Sequence, residues 1–201
     1  MKSFTTSLVL STLLFVASCK KDSSDDSPTP TPDPPSSCTP TIVEVTGGVT
    51  TPTTWDACHI YVINTTSLDV TSTLTIEPGT IIKFKSLVFD NAILVSSSGQ
   101  INAVGTADKP IVFTSIKDDA NGGDSNGDGT LTTPARGDWG GIVMNTSSCV
   151  YKYCKFMYGG EGPSVSSGQP TLEFQYFYGI VDHCTFAYCG GEAEYNGYGV
   201  V

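Results

Sequence analysis

From Leu74 to Ile116 apolar and polar residues alternate in short runs, and each run stops at a turn. The first is Leu74-Thr-Ile76-Glu, the second begins at Ile81, and Ile101-Asn-Ala103 and Ile111-Val-Phe113 follow. A period of two marks strands with one buried face. Pro78-Gly79 between the first two runs fits the centre of a type II turn, where proline presets one φ and glycine accepts a positive one. A second pattern lies further on. Val150-Tyr-Lys-Tyr-Cys154-Lys-Phe156-Met-Tyr158 matches Ile180-Val-Asp-His-Cys184-Thr-Phe186-Ala-Tyr188, thirty residues later. A fixed period in this range is the signature of solenoid stacking. It predicts Cys154 over Cys184, Phe156 over Phe186 and Tyr158 over Tyr188 at the strand spacing of about 4.8 Å. A two-sheet sandwich shares short strands but rarely such in-register repeats.

With the Thr53-Thr54-Trp55 segment and Gly137-Asp-Trp-Gly-Gly-Ile142, these runs resemble the coils of right-handed parallel β-helices in pectin-lyase-like proteins, especially Bacteroidetes-type surface lipoproteins. The resemblance implies an all-β, right-handed parallel β-helix over 41–201. Residues 41–64 are expected to form an N-terminal cap and 118–136 a polar insertion loop. Gly199-Val200-Val201 is still strand-like, so the chain is expected to be truncated at its C-terminus.

The first eighteen residues read as a targeting segment. Lys2 precedes a short apolar core, Leu8-Val-Leu10 and Leu13-Leu-Phe-Val16, which is too short to span a bilayer. Val16-Ala-Ser18-Cys19 looks like a lipobox, implying cleavage before Cys19 and acylation of that cysteine. Several acyl chains at ~0.8 kcal/mol per buried CH₂ would make a durable anchor. Residues 19–40 are Ser, Thr, Asp and Pro-rich and read as a disordered linker. The resemblance then implies an outer membrane lipoprotein exposed at the cell surface.

The formal net charge is −10, with Arg136 as the one arginine. A nucleic-acid partner needs clustered cations and finds none here. A polyanionic chain meets the same repulsion unless calcium bridges it. Asp124-Ser-Asn126-Gly-Asp128-Gly129 places oxygens at alternate positions with a glycine where a calcium loop turns sharply. The twelfth position is Ala135, so the bidentate glutamate is absent; Asp118, Asp119 or Asp138 are the weaker candidates to complete a structural calcium site.

With Cys19 acylated, six cysteines remain outside the cytoplasm, where disulfides persist. Cys38 and Cys58 are candidates to staple the cap to the linker. Cys149, Cys154, Cys184 and Cys189 invite a zinc reading, set against buried ladder positions within the repeat. His183 takes the place of Tyr153 in that repeat, a ladder or surface position. No Gly-x-Ser-x-Gly, His-Glu-x-x-His or phosphate loop is present, so no catalytic residue is nominated. Tyr176 and Tyr178 are weak candidates for stacking on sugar rings, against the reading that Leu172 and Phe174 on the same parity fill the core. The function expected is a non-catalytic surface scaffold for adhesion, or for glycan or protein contact. The alternative is a polysaccharide-active enzyme whose catalytic residues lie downstream.

Overall fold

A computed structural model describes residues 38–85, 93–160, 170–175 and 179–190, together with the backbone of 193–196. The signal segment and linker, Cys19 among them, lie outside the described residues, as do Tyr176 and Tyr178. Each coil of the chain visits three sheets in turn. The first runs through β1 (Thr41–Val45), a bridge at Val49, and β2 (Thr53–Trp55). The second contains β3 (His59–Ile63), β4 (Leu68–Val70) and β5 (Thr73–Ile76), and the third β6 (Ile81–Phe84), β7 (Ile93–Val95) and β8 (Gln100–Val104). Then come β9 (Ile111–Ser115), β10 (Ile142–Met144) and β11 (Val150–Lys152), followed by β12 (Cys154–Met157), β13 (Leu172–Gln175) and β14 (Ile180–Asp182). β15 (Thr185–Ala187) and β16 (Ala193–Asn196) belong to a sixth.

Every pairing is parallel and joins one coil to the next. Sheet A has the order β1-β3-β6-β9-β12-β15, sheet B β16-β13-β10-β7-β4, and sheet C β14-β11-β8-β5-β2. Among the described residues there is no helix. This is the parallel β-helix expected from the alternation, right-handed as connections between parallel strands are. The segment 41–64 is built in the same register as the coils, with Ile42 opposite Ile60 and Thr54 opposite Thr75. Its alternation is that of the coils, so it pairs as one of them.

Stacking like on like fills the core. Ile82, Phe113, Phe156 and Phe186 follow one another in sheet A, with the Phe113 and Phe156 rings stacked at 4.8 Å and Phe156 and Phe186 at 5.0 Å. Leu74, Ile101, Ile93, Ile142 and Leu172 meet this column from the other two sheets. Burying each such side chain contributes roughly 1.5–3 kcal/mol. The thirty-residue repeat pairs as its spacing predicts, Val150 with Ile180 and Phe156 with Phe186. Corners before and after sheet A are single residues in the left-handed region: Tyr153 (φ 49), His183 (φ 52), Tyr158 (φ 64) and Tyr188 (φ 57). This conformation costs roughly 1–2 kcal/mol per non-glycine residue. Stacking offsets part of it, since Tyr153 lies on His183 at 4.7 Å and Tyr158 on Tyr188 at 5.3 Å.

The long connection between β9 and β10 folds back over the outer face of sheet A. Ile60, Val62 and Ile81 form an apolar patch there with Ile116. Gly122 lies directly on it, where an added Cβ would sit 3.0 Å from Ile60 Cδ1. The fully buried Lys83 donates to the carbonyl oxygens of Asp118 (2.8 Å) and Gly123 (2.6 Å). The connection rejoins the coils at Trp139, whose ring stacks on Phe84 at 4.0 Å and whose indole N–H donates to Met157 O.

Candidate functional site

Where the returning insertion meets the last coils, a groove of about 370 Å³ opens. Pro134, Ala135 and Arg136 form one wall; Tyr158, Phe186, Tyr188 and Cys189 form the other. The tyrosines are brought here by the repeat, one coil apart, with ring planes within 8° of parallel. Tyr188 is 68% exposed and backed by Tyr158. Burial, then the nearby Asp118, Tyr188 and Asp138, push the Tyr158 hydroxyl above the ordinary tyrosine range, so it stays a neutral phenol. Arg136, which lines the groove, donates from Nη2 to Gly190 O at 2.8 Å. Arg136 makes no ion pair among the described residues. A flat apolar plate beside this cation can stack a ring and hold an acceptor oxygen.

The acidic insertion is organised around hydrogen bonds of its own. Asp124 Oδ1 accepts from the N–H groups of Gly127 and Asp128, and Oδ2 from Gly129. These bonds, that of Gly129 foremost, hold the Asp124 carboxyl below its ordinary range. Asn126 and Thr132 both donate to Asp128 Oδ2. Asp118 and Asp138 are engaged elsewhere. Asp118 accepts from Thr114, Asn121 and the Ala120 N–H, and Asp138 from Ser115, the Ala135 N–H and Lys117. They pin the two ends of the insertion to the end of β9. Asp119 Oδ1 and Asp128 Oδ1 are shielded from solvent with no hydrogen-bond partner. Among the described residues no three His, Cys, Asp or Glu side chains converge in a way that could hold a metal ion.

Cys38 and Cys58 are joined by a disulfide, with Cα atoms 5.5 Å apart. Cys149, Cys154, Cys184 and Cys189 are free thiols. Cys154 and Cys184 occupy the interior ladder position; the hydrogen bond between their thiols, then burial, raises Cys154, while the same bond lowers Cys184 to about 7 against the pull of burial. Burial pushes Cys149 up to about 11. His183 is an exposed corner, bonded through Nδ1 to Asp182 at 2.5 Å and stacked on Tyr153. Leu172 and Phe174 are both in the core.

Two features were hidden from the sequence. Lys83 sits at an outward-facing strand position, where lysine ordinarily meets water, and only the folded-back insertion buries it. Arg136 stands at the end of a polar loop, and its approach to Tyr188 depends on where that loop returns. The equivalence of Tyr158 and Tyr188 was the one signal of the groove.

No curated protein matches the chain, and neither does any solved structure. A family model described as the pectate-lyase-like beta-helix domain matches residues 47–171, which runs from the first coil to the edge of β13. Parallel strands in three sheets, single-residue corners and that match agree, and the chain belongs to the pectate-lyase-like beta-helix domain family.

Proposed function

We propose that this protein is a non-catalytic cell-surface scaffold whose β-helix presents a contact site for glycans. The observation that carries this reading is the exposed Tyr188 ring, held rigid by Tyr158 and flanked by Arg136. Tyrosine supplies ring-stacking area at low entropic cost when it is already fixed. A β-helix is a stiff support for such a plate, because each coil is braced by its neighbours. Fold alone assigns no activity. The Val16-Ala-Ser18-Cys19 motif supports tethering to the outer membrane through acylated Cys19, with residues 19–40 as a spacer reaching the surface. Metabolic labelling with a fatty acid, lost in Cys19→Ser, tests the anchor.

A panel of polysaccharides tests the function. The expected result is retention on one or more glycans without new reducing ends or unsaturated products, with retention reduced at least fivefold by Tyr188→Ala. Turnover abolished by a substitution within 41–201 would overturn the non-catalytic reading.

A further inference from the structure

We infer that the groove between Arg136 and Tyr188 selects a glycan ending in a single carboxylate-bearing sugar, rather than a neutral glycan or a polyanionic chain. This rests on the reading of the groove as a glycan contact, and it adds the class of ligand.

Size sets the first limit. About 370 Å³ lies at the small end of ligand sites, enough for one terminal ring rather than a run of sugars. Shape sets the second, since the open face of Tyr188 is flat and apolar and suits the C–H face of a pyranose. Charge sets the third. Arg136 is the chain's one arginine, and among the described residues it has no carboxylate partner. Its bond to Gly190 O uses one N–H group of a fork that has five. A planar guanidinium held in this way matches a planar carboxylate through paired charge-assisted bonds. The rest of the molecule opposes more than one such charge. With a net charge of −10, each further carboxylate beyond the reach of Arg136 meets a negative surface.

The test titrates the full chain with N-acetylneuraminyl-lactose, lactose and trigalacturonate by calorimetry. The acid-terminated trisaccharide is expected to bind at least tenfold more tightly than lactose, and more tightly than trigalacturonate. Arg136→Gln is expected to bring it down to the lactose level while the fold, read by circular dichroism, is retained, and Arg136→Lys to recover only part of the loss. Equal binding of lactose, tightest binding of trigalacturonate, no binding of the acid-terminated probe, or indifference to Arg136→Gln would each overturn the inference. Equal binding that Tyr188→Ala abolishes rejects the preference for acid but keeps the groove as a glycan site; binding that Tyr188→Ala leaves unchanged rejects both.

Discussion

The ammonium of Lys83 lies 2.8 Å from the carbonyl oxygen of Asp118, on the outer face of sheet A and out of reach of solvent. A second bond to Gly123 O makes it the only side chain of β6 that ties the insertion to the sheet by hydrogen bonds. Burial lowers the lysine's pKa, while Asp118, Asp119 and Asp124 oppose that shift. A lowered lysine pKa means the unfolded chain binds the proton more tightly. Its cost to stability is therefore complete at pH values below the folded pKa and is relieved as pH rises towards the unfolded value.

Lys83→Met should release the insertion. The substitution keeps the apolar stem but leaves the buried Asp118 carbonyl without its lysine donor, while Gly123 O keeps the Ser125 hydroxyl, at a cost of about 1–3 kcal/mol. Limited proteolysis should then cut within 124–133 in the variant well before it cuts the parent, and the melting temperature should fall. A variant as resistant as the parent would show that the apolar patch under Gly122 holds the insertion unaided.

Tyr151→Phe should stabilise the protein. Tyr151 is fully buried, edge-on to Phe156 at 5.7 Å and Phe113 at 6.3 Å, and its hydroxyl meets no hydrogen-bond partner. A buried unsatisfied polar group costs roughly 1–3 kcal/mol, so removing the oxygen should raise stability by about 1 kcal/mol. Thermal denaturation should show a rise of about 2–4 °C for a chain of this size. A fall of similar size would mean that the hydroxyl has a partner inside the core.

The coils were legible because their causes are local. Alternation at Leu74-Thr-Ile76 and a turn at Pro78-Gly79, where Gly79 indeed has φ 87, need only neighbouring residues. The stacking of Phe156 on Phe186 followed from the repeat, since equal spacing puts equal residues on one column. The outer face of sheet A was not legible. Ile60, Val62 and Ile81 break the alternation by being apolar on both faces, and Lys83 interrupts them, yet nothing local says that a segment from beyond β9 returns to cover them. The bonds that Asp118 and Asp138 make were not legible for the same reason. Their partners, Thr114, Ser115 and Lys117, are close in sequence to Asp118 but distant from Asp138.

Thiol labelling should separate Cys184 from the buried Cys149 and Cys154. Cys184 is partly accessible, and the hydrogen bond from Cys154 lowers it to about 7. Thiolate, not thiol, reacts with alkylating reagents. Iodoacetamide modification of Cys184 in the folded protein should therefore set in at a lower pH than that of an ordinary thiol. Cys149, pushed up to about 11 by burial, and Cys154, raised by the same thiol pairing and by burial, should stay unmodified until denaturant is added. Cys184→Ser should abolish this early modification. Rapid labelling of Cys154 at neutral pH would reverse the assignment of the proton within the pair.

Calcium should bind the insertion weakly. Asp128 Oδ1 and Asp119 Oδ1 have no hydrogen-bond partner, whereas both oxygens of Asp124 hold backbone N–H groups and Asp118 and Asp138 pin the loop ends. This falls short of the six to eight oxygens calcium takes, and Ala135 stands where a bidentate glutamate would be, which places affinity in the range of about 10⁻⁴–10⁻³ M. At a dissociation constant of about 1 mM, 5 mM calcium contributes about 1 kcal/mol. That corresponds to a rise of about 2–4 °C in melting temperature. Calorimetry of the EDTA-treated protein with and without 5 mM calcium should show this rise, and Asp128→Asn should remove it. An unchanged melt would leave the Asp124–Gly129 turn as a loop closed by its own hydrogen bonds, while saturation at micromolar calcium would require ligands beyond Asp119, Asp124, Asn126 and Asp128.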